Sequence, residues 1–176
     1  RNGPPFNSGI RKSFAAMPNV GLVFIALNPE VDSDLAVACE VSRAARTVGL
    51  FTVAMVAQTP SSACNDGASE TALLQNFDSI INLRGGARSR LLACRVIGHL
   101  AGGLKVAPPV CTDLADVQEI LRGAIVSVGV GETIGSPNPV AHGREWDAAE
   151  LAICDVGHTR VASATGVIVA IEGNYS

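Results

Sequence analysis

Gly21-Leu22-Val23-Phe24-Ile25-Ala26-Leu27 is an unbroken apolar run that stops at Asn28-Pro29. A second run, Leu50-Phe51-Thr52-Val53-Ala54-Met55-Val56-Ala57, stops at Gln58-Thr59-Pro60. Both are short and rich in bulky aliphatics, as in strands buried on both faces. Between them, Leu35, Val37, Ala38, Val41, Ala44, Ala45 and Val48 recur at helical spacing, and Gly49 follows as a stop. Strand, helix and strand in this order predict a β-α-β unit, hence a parallel sheet with a right-handed crossover.

The alternation continues outward. Asn65-Asp66-Gly67 is a turn signature, residues 68–77 read as a short helix, and Ser79–Leu83 reads as a third strand. Ala87–Leu100 has a helical apolar side, ended by Gly102-Gly103, and Pro108-Pro109 marks a boundary. Beyond it, Asp113–Leu121 predicts a helix, Ala124–Val130 a strand, Arg144–Cys154 a helix and Gly166–Ile171 a last strand. Residues 1–12 are rich in Gly, Pro, Asn and Ser and read as a tail. The fold class expected is α/β. Residues 1–20 are a tail and lead-in, 21–107 a first domain, and 108–176 a partial second domain.

Composition narrows the function. The chain has 176 residues, 48% hydrophobic and 16% charged, with a net charge of −3. A large core is within reach, and disorder is excluded. So few charges imply a hidden surface, in a two-sided sheet or against another subunit. The acidic balance argues against nucleic acid or an anionic membrane as partner. Aromatics at 4% argue against base-stacking platforms. The five cysteines are scattered without a C-x-x-C, as reduced thiols in a cytosolic protein would be. No stretch of about 18 apolar residues occurs, so no membrane span is expected, and the N-terminal residues lack the apolar core of a signal peptide.

Read in order, several segments resemble the FtsZ/tubulin family of polymerising GTPases. Val48–Val56 is similar to the family's helix-to-strand passage ELGALTVAVV, and Phe77–Ile81 to its VDSLIVI. Leu91–Leu104 sits where the long central helix would be. Cys111-Thr112-Asp113-Leu114-Ala115-Asp116-Val117 resembles NVDFADV, the loop after that helix. Val128–Gly131, His142–Ile153 and Ala164–Gly173 resemble later family segments, so the likeness spans roughly residues 14–173.

The resemblance implies a parallel-sheet nucleotide-domain remnant, a central helix and part of a second α/β domain. It implies a cytoplasmic protein of the cell-division or cytoskeletal type, a homo-oligomer or a partner of FtsZ-type subunits. It also implies that Asp113 and Asp116 are the acids that act on GTP bound to a neighbouring subunit. The family's glycine-rich GGGTGTG should follow Leu27, because only glycine lets backbone amides approach phosphates closely. Here the place reads Asn28-Pro29-Glu30-Val31-Asp32-Ser33-Asp34. Glycines are gone, a proline removes one donor, and three acids oppose a triphosphate. The expectation is therefore a self-associating or partner-binding module that has lost normal GTP binding, with an active GTPase on a rebuilt site as the alternative. GTP is the cofactor only if that activity is retained.

Other patterns carry blander readings. D-x-x-D at Asp113 and Asp116 also caps a helix. Gly129-Val130-Gly131 with Gly135 imitates a dinucleotide turn, but Pro137 and Pro139 delay the helix such a turn needs. Arg84, Arg88, Arg90 and Arg95 form a basic cluster that could meet a phosphate or simply face solvent. Cys111 could serve as a nucleophile only if His99, His142 or His158 approached it in space. The histidines show no metal-ligand spacing.

Overall fold

The computed structural model describes residues 6–17, 20–29, 31–58, 73–84, 88–103, 113–133 and 143–170. Their elements are α1 (Phe6–Ala15), β1 (Leu22–Leu27), α2 (Asp32–Arg46), β2 (Phe51–Gln58), β3 (Ser79–Arg84), α3 (Ser89–Gly103), α4 (Leu114–Leu121), β4 (Ile125–Ser127), α5 (Arg144–Val156) and α6 (His158–Ala162). The four strands form one parallel sheet in the order β1-β2-β3-β4. Leu22 lies opposite Phe51 and Leu27 opposite Val56, while Val53 lies opposite Ser79. The fold class is thus mixed α/β, and the β-α-β unit forms as its periodicity predicts.

The core follows from alternation along the strands. Ile25 and Leu27, Ala54 and Val56, and Ile80 bury one face together with Ala38 of α2, Leu73 and Phe77. Val53, Met55, Ile81 and Leu83 fall on the other face and are equally buried. Helix α2 packs on β1 and β2, and α3 packs on β3 and β2. Each large side chain buried this way contributes about 1.5–3 kcal/mol. The expectation of two-sided burial holds for β2 and fails for β1, where Ala26 is exposed and only Ile25 and Leu27 are buried. The reason is position: β1 ends the strand order and has a neighbour on one side only.

Helix α2 begins without a side-chain cap, at Val31. Asp32 and Asp34 in its first turn and Arg43 and Arg46 in its last offset the helix dipole. At its end Gly49 takes φ +83°, a conformation in which a side chain would be strained. That turn lets the Leu50 amide reach back to the Ala45 carbonyl, 3.2 Å away, and points the chain into β2.

Three expectations are corrected. Residues 6–15 of the supposed tail form α1, which packs on α2; composition rich in turn formers concealed an amphipathic stretch. The strand expected over Ala124–Val130 is only Ile125–Ser127. Gly166–Ala170 forms no strand, and Val167, Ile168 and Val169 are exposed; β-branched residues favour a strand only where a neighbouring strand is there to pair with. The Asn65 turn, the first half of the helix expected over 68–77, and Pro108-Pro109 lie outside the described residues.

The chain divides into two compact units, Arg1–Val126 and Ser127–Ser176. The second is built on α5. Gly129 and Gly131 run against the Ala152 and Ala148 carbonyls of that helix, where no side chain would fit. The Val130 amide donates to the Asp155 carboxylate at 3.1 Å, and the Arg160 guanidinium donates to the Ser127 hydroxyl at 3.2 Å.

Candidate functional site

Two places in the first unit hold the residues that the sequence singles out. One is the passage from β1 into α2. The Val31 amide donates to the Asn28 carbonyl at 3.2 Å, and the amides of Asp34 and Leu35 both donate to the Val31 carbonyl. Asp32 and Asp34 are exposed on the first turn. Glu30 lies outside the described residues. A helix start binds phosphate through free amides approached across glycine, and here two carboxylates occupy that position. Beside it runs an open groove of about 520 Å³ between β1 and α2, lined by Ile25, Ser33, Asp34, Val37 and Val41 among others. No cation lines it among the described residues.

The second place is the start of α4. Asp113 is the N-cap, and its Oδ1 accepts from the Asp116 amide at 2.9 Å. The Asp116 Oδ2 accepts from the Asp113 amide at 3.1 Å. This reciprocal capping box satisfies two of the amides a helix start leaves open. Both residues are exposed. The structure thus joins the two sequence-predicted acids, one on the backbone of the other.

Helix α4 is fixed over the beginning of β1. The Leu114 side chain lies against Gly21, leaving no room for a Cβ there, and the Gln118 side-chain amide donates to the Gly21 carbonyl at 3.3 Å. The passage from Asn28 to Asp34 leaves from the other end of β1. The strand has six residues, and at about 3.3 Å each it separates the two places by roughly 20 Å. The acids at Asp113 and Asp116 therefore cannot reach a ligand held at Asn28–Asp34 of the same chain.

A polar hub was not foreseen. The Thr52 amide and hydroxyl both donate to Asp78 Oδ2, at 2.8 and 2.9 Å. The Asp78 amide returns a bond to the Thr52 carbonyl at 3.0 Å, and its carbonyl accepts from the Gly123 amide at 2.7 Å. The buried Ser42 hydroxyl lies 3.1 Å from the Thr52 hydroxyl and 2.6 Å from the Asn76 carbonyl, to which it can donate. Arg46 pairs with Asp78 Oδ1 at 3.6 Å. Asp78, just before β3, so ties β2 and α2 through its carboxylate and the turn before β4 through its carbonyl. Thr52 and Asp78 are 26 residues apart, and no local spacing signals their meeting.

The remaining candidates separate. Arg88, Arg90 and Arg95 are exposed on α3 and the turn before it. Gly129 and Gly131 serve helix packing. Cys111, His142, Gly135 and Gly85-Gly86 lie outside the described residues. The Cys154 sulfur lies 3.6 Å from His158 Nε2 on the surface of the second unit. Burial pushes the Cys39 thiol above its ordinary pKa, with Arg43 opposing weakly. Among the described residues, no three His, Cys, Asp or Glu side chains gather as metal ligands, and no helix is long and apolar enough to cross a membrane. In comparisons with known proteins, the chain matches no family model and no curated protein.

Proposed function

We propose that this chain is an FtsZ-like, self-associating or partner-binding module of the cell-division and cytoskeletal type, cytoplasmic, which has lost normal GTP binding. The observation that carries this reading is the separation of the acid pair from the β1–α2 passage by the length of β1. Acids placed there can serve only a ligand presented by another subunit. The passage itself offers Asp32 and Asp34 in place of glycine amides, so this chain would present an activating face without a nucleotide face in return. Joined to an FtsZ-type subunit, it would end or modulate a filament from one side.

The test is co-sedimentation with a genuine FtsZ under GTP, with turnover followed in the same samples. The expected result is altered polymer mass and altered GTP turnover, both abolished by Asp113→Asn combined with Asp116→Asn. Unchanged polymer and unchanged turnover overturn the reading. The groove of about 520 Å³ beside Asp34 favours one competing reading, a GTP site rebuilt on different contacts. Saturable binding of labelled GTP, weakened by Ser33 or Val37 substitutions, would establish that instead.

A further inference from the structure

At the end of the sheet where β2 begins, a small pocket of about 210 Å³ lies among Arg46, Phe51, Asp78, Gln118 and Arg122. It is remote from the groove beside α2, and the filament reading does not use it. Its two cations are differently employed. Arg46 is committed: Nε faces Asp78 at 3.6 Å and Nη1 donates to the Gln75 carbonyl at 3.3 Å. The guanidinium carbon of Arg122 lies over the Phe51 ring, 5.6 Å from its centroid. A guanidinium drawn to a ring face in this way spends none of its N–H donors on the contact.

The charges on the rim define what can enter. Asp78 neutralises Arg46, so the pocket retains one positive charge, on Arg122. Gln118 and Arg122 are four residues apart and share a face of α4 and the turn that follows. Asp113 and Asp116 are set more than about 100° around the helix from Gln118; Glu119 is three residues before Arg122, but it does not line the pocket. A monoanion matches a single open guanidinium, whereas the second charge of a dianion would meet the Asp78 carboxylate. The planar fork of arginine suits a carboxylate, which it grips through two parallel bonds. The volume is below the roughly 300–1,000 Å³ of pockets for drug-sized ligands, so the ligand has only a few non-hydrogen atoms beyond its carboxylate.

We propose that this pocket is a carboxylate-binding site, with Arg122 as the residue that grips the anion and Phe51 and Asp78 as those that set its orientation and charge. The carboxylate could belong to a free small organic acid or to the C-terminus of a peptide, and the two share the same recognition chemistry.

The experiment is a titration of the full chain followed by amide and arginine side-chain NMR, at constant ionic strength, with propionate, its neutral isostere propionamide, sulfate, and acetylglycine as a peptide-terminus mimic. The expected result is a saturable shift of the Arg122 Nε–H and of the Phe51 amide with propionate, at least tenfold weaker with propionamide and with sulfate. Tighter binding of acetylglycine than of propionate assigns the site to peptide termini, and the reverse order to small acids; either order supports the site. Arg122→Gln should weaken propionate at least tenfold, and Arg122→Lys should weaken it less. Arg122 is exposed, so neither change should disturb folding, and an unchanged amide spectrum elsewhere checks this. Absence of any saturable shift, equal shifts with propionamide, tighter sulfate binding, or unchanged propionate binding by Arg122→Gln would each overturn the proposal.

Discussion

The two compact units differ in what they bury. In Arg1–Val126, every residue from Phe51 to Val56 is buried, and so is every residue from Ser79 to Leu83. In Ser127–Ser176, neither α5 nor α6 has a single buried residue, and Trp146 on α5 is 60% exposed. Both units contain helices of ordinary composition, so helix propensity does not separate them. What separates them is the sheet: the first unit has parallel strands to pack against, whereas the second has glycines laid on a helix. The first unit therefore holds the buried core, and the second, whose two helices bury no residue, is expected to open at the lower cost.

The sharpest way to test this contrast is to remove mass from the core. Phe77 is 1% exposed, and Phe77→Ala should destabilise the first unit by about 3–5 kcal/mol, read as a lower midpoint in urea. An equivalent truncation of Trp146 should change the stability of the first unit by no more than about 0.5 kcal/mol. A large loss on truncating Trp146 would erase the distinction between the units.

The polar hub is next. Asp78→Ala leaves the Thr52 amide and hydroxyl, and one face of Arg46, without their carboxylate. A buried donor left unsatisfied costs about 1–3 kcal/mol. Asp78→Asn keeps one acceptor oxygen and should lose less. Hydrogen exchange at Thr52 and at the Gly123 amide, which donates to the Asp78 carbonyl, would report the loss locally.

Gly129→Ala and Gly131→Ala probe the second unit. Each added methyl would meet a carbonyl of α5, and such overpacking costs about 1–3 kcal/mol. Exchange should quicken along α5 and stay unchanged in β2 and β3. Faster exchange in the sheet would mean that the units share one cooperative transition.

How much of this was legible depended on distance along the chain. The run from Leu22 to Gln58 announced strand, helix and strand, because period and punctuation are local. The cap at Asp113 was legible for the same reason, being a D-x-x-D at a helix start. By contrast, β1 as an edge strand, the Thr52–Asp78 hub and the joining of Arg46 to Arg122 at one pocket depend on the order of strands and on partners far apart. The run Gly166–Ala170 shows the converse: its local signal for a strand is strong, yet no partner strand meets it among the described residues.

The smallest expected effect bears most directly on function, since it separates the cap from the charge. Asp113→Ala removes the acceptor for the Asp116 amide, and losing such a cap costs about 0.5–2 kcal/mol. Asp113→Asn retains a cap of nearly equal strength while removing the charge. If the pair serves only α4, Asn should restore both stability and any effect on a partner's GTP turnover. If its carboxylates act on a neighbouring subunit, Asn should restore stability alone. Melting temperature and turnover, measured on the same two variants, therefore divide a helix start that is merely well capped from one whose acids reach beyond their own chain.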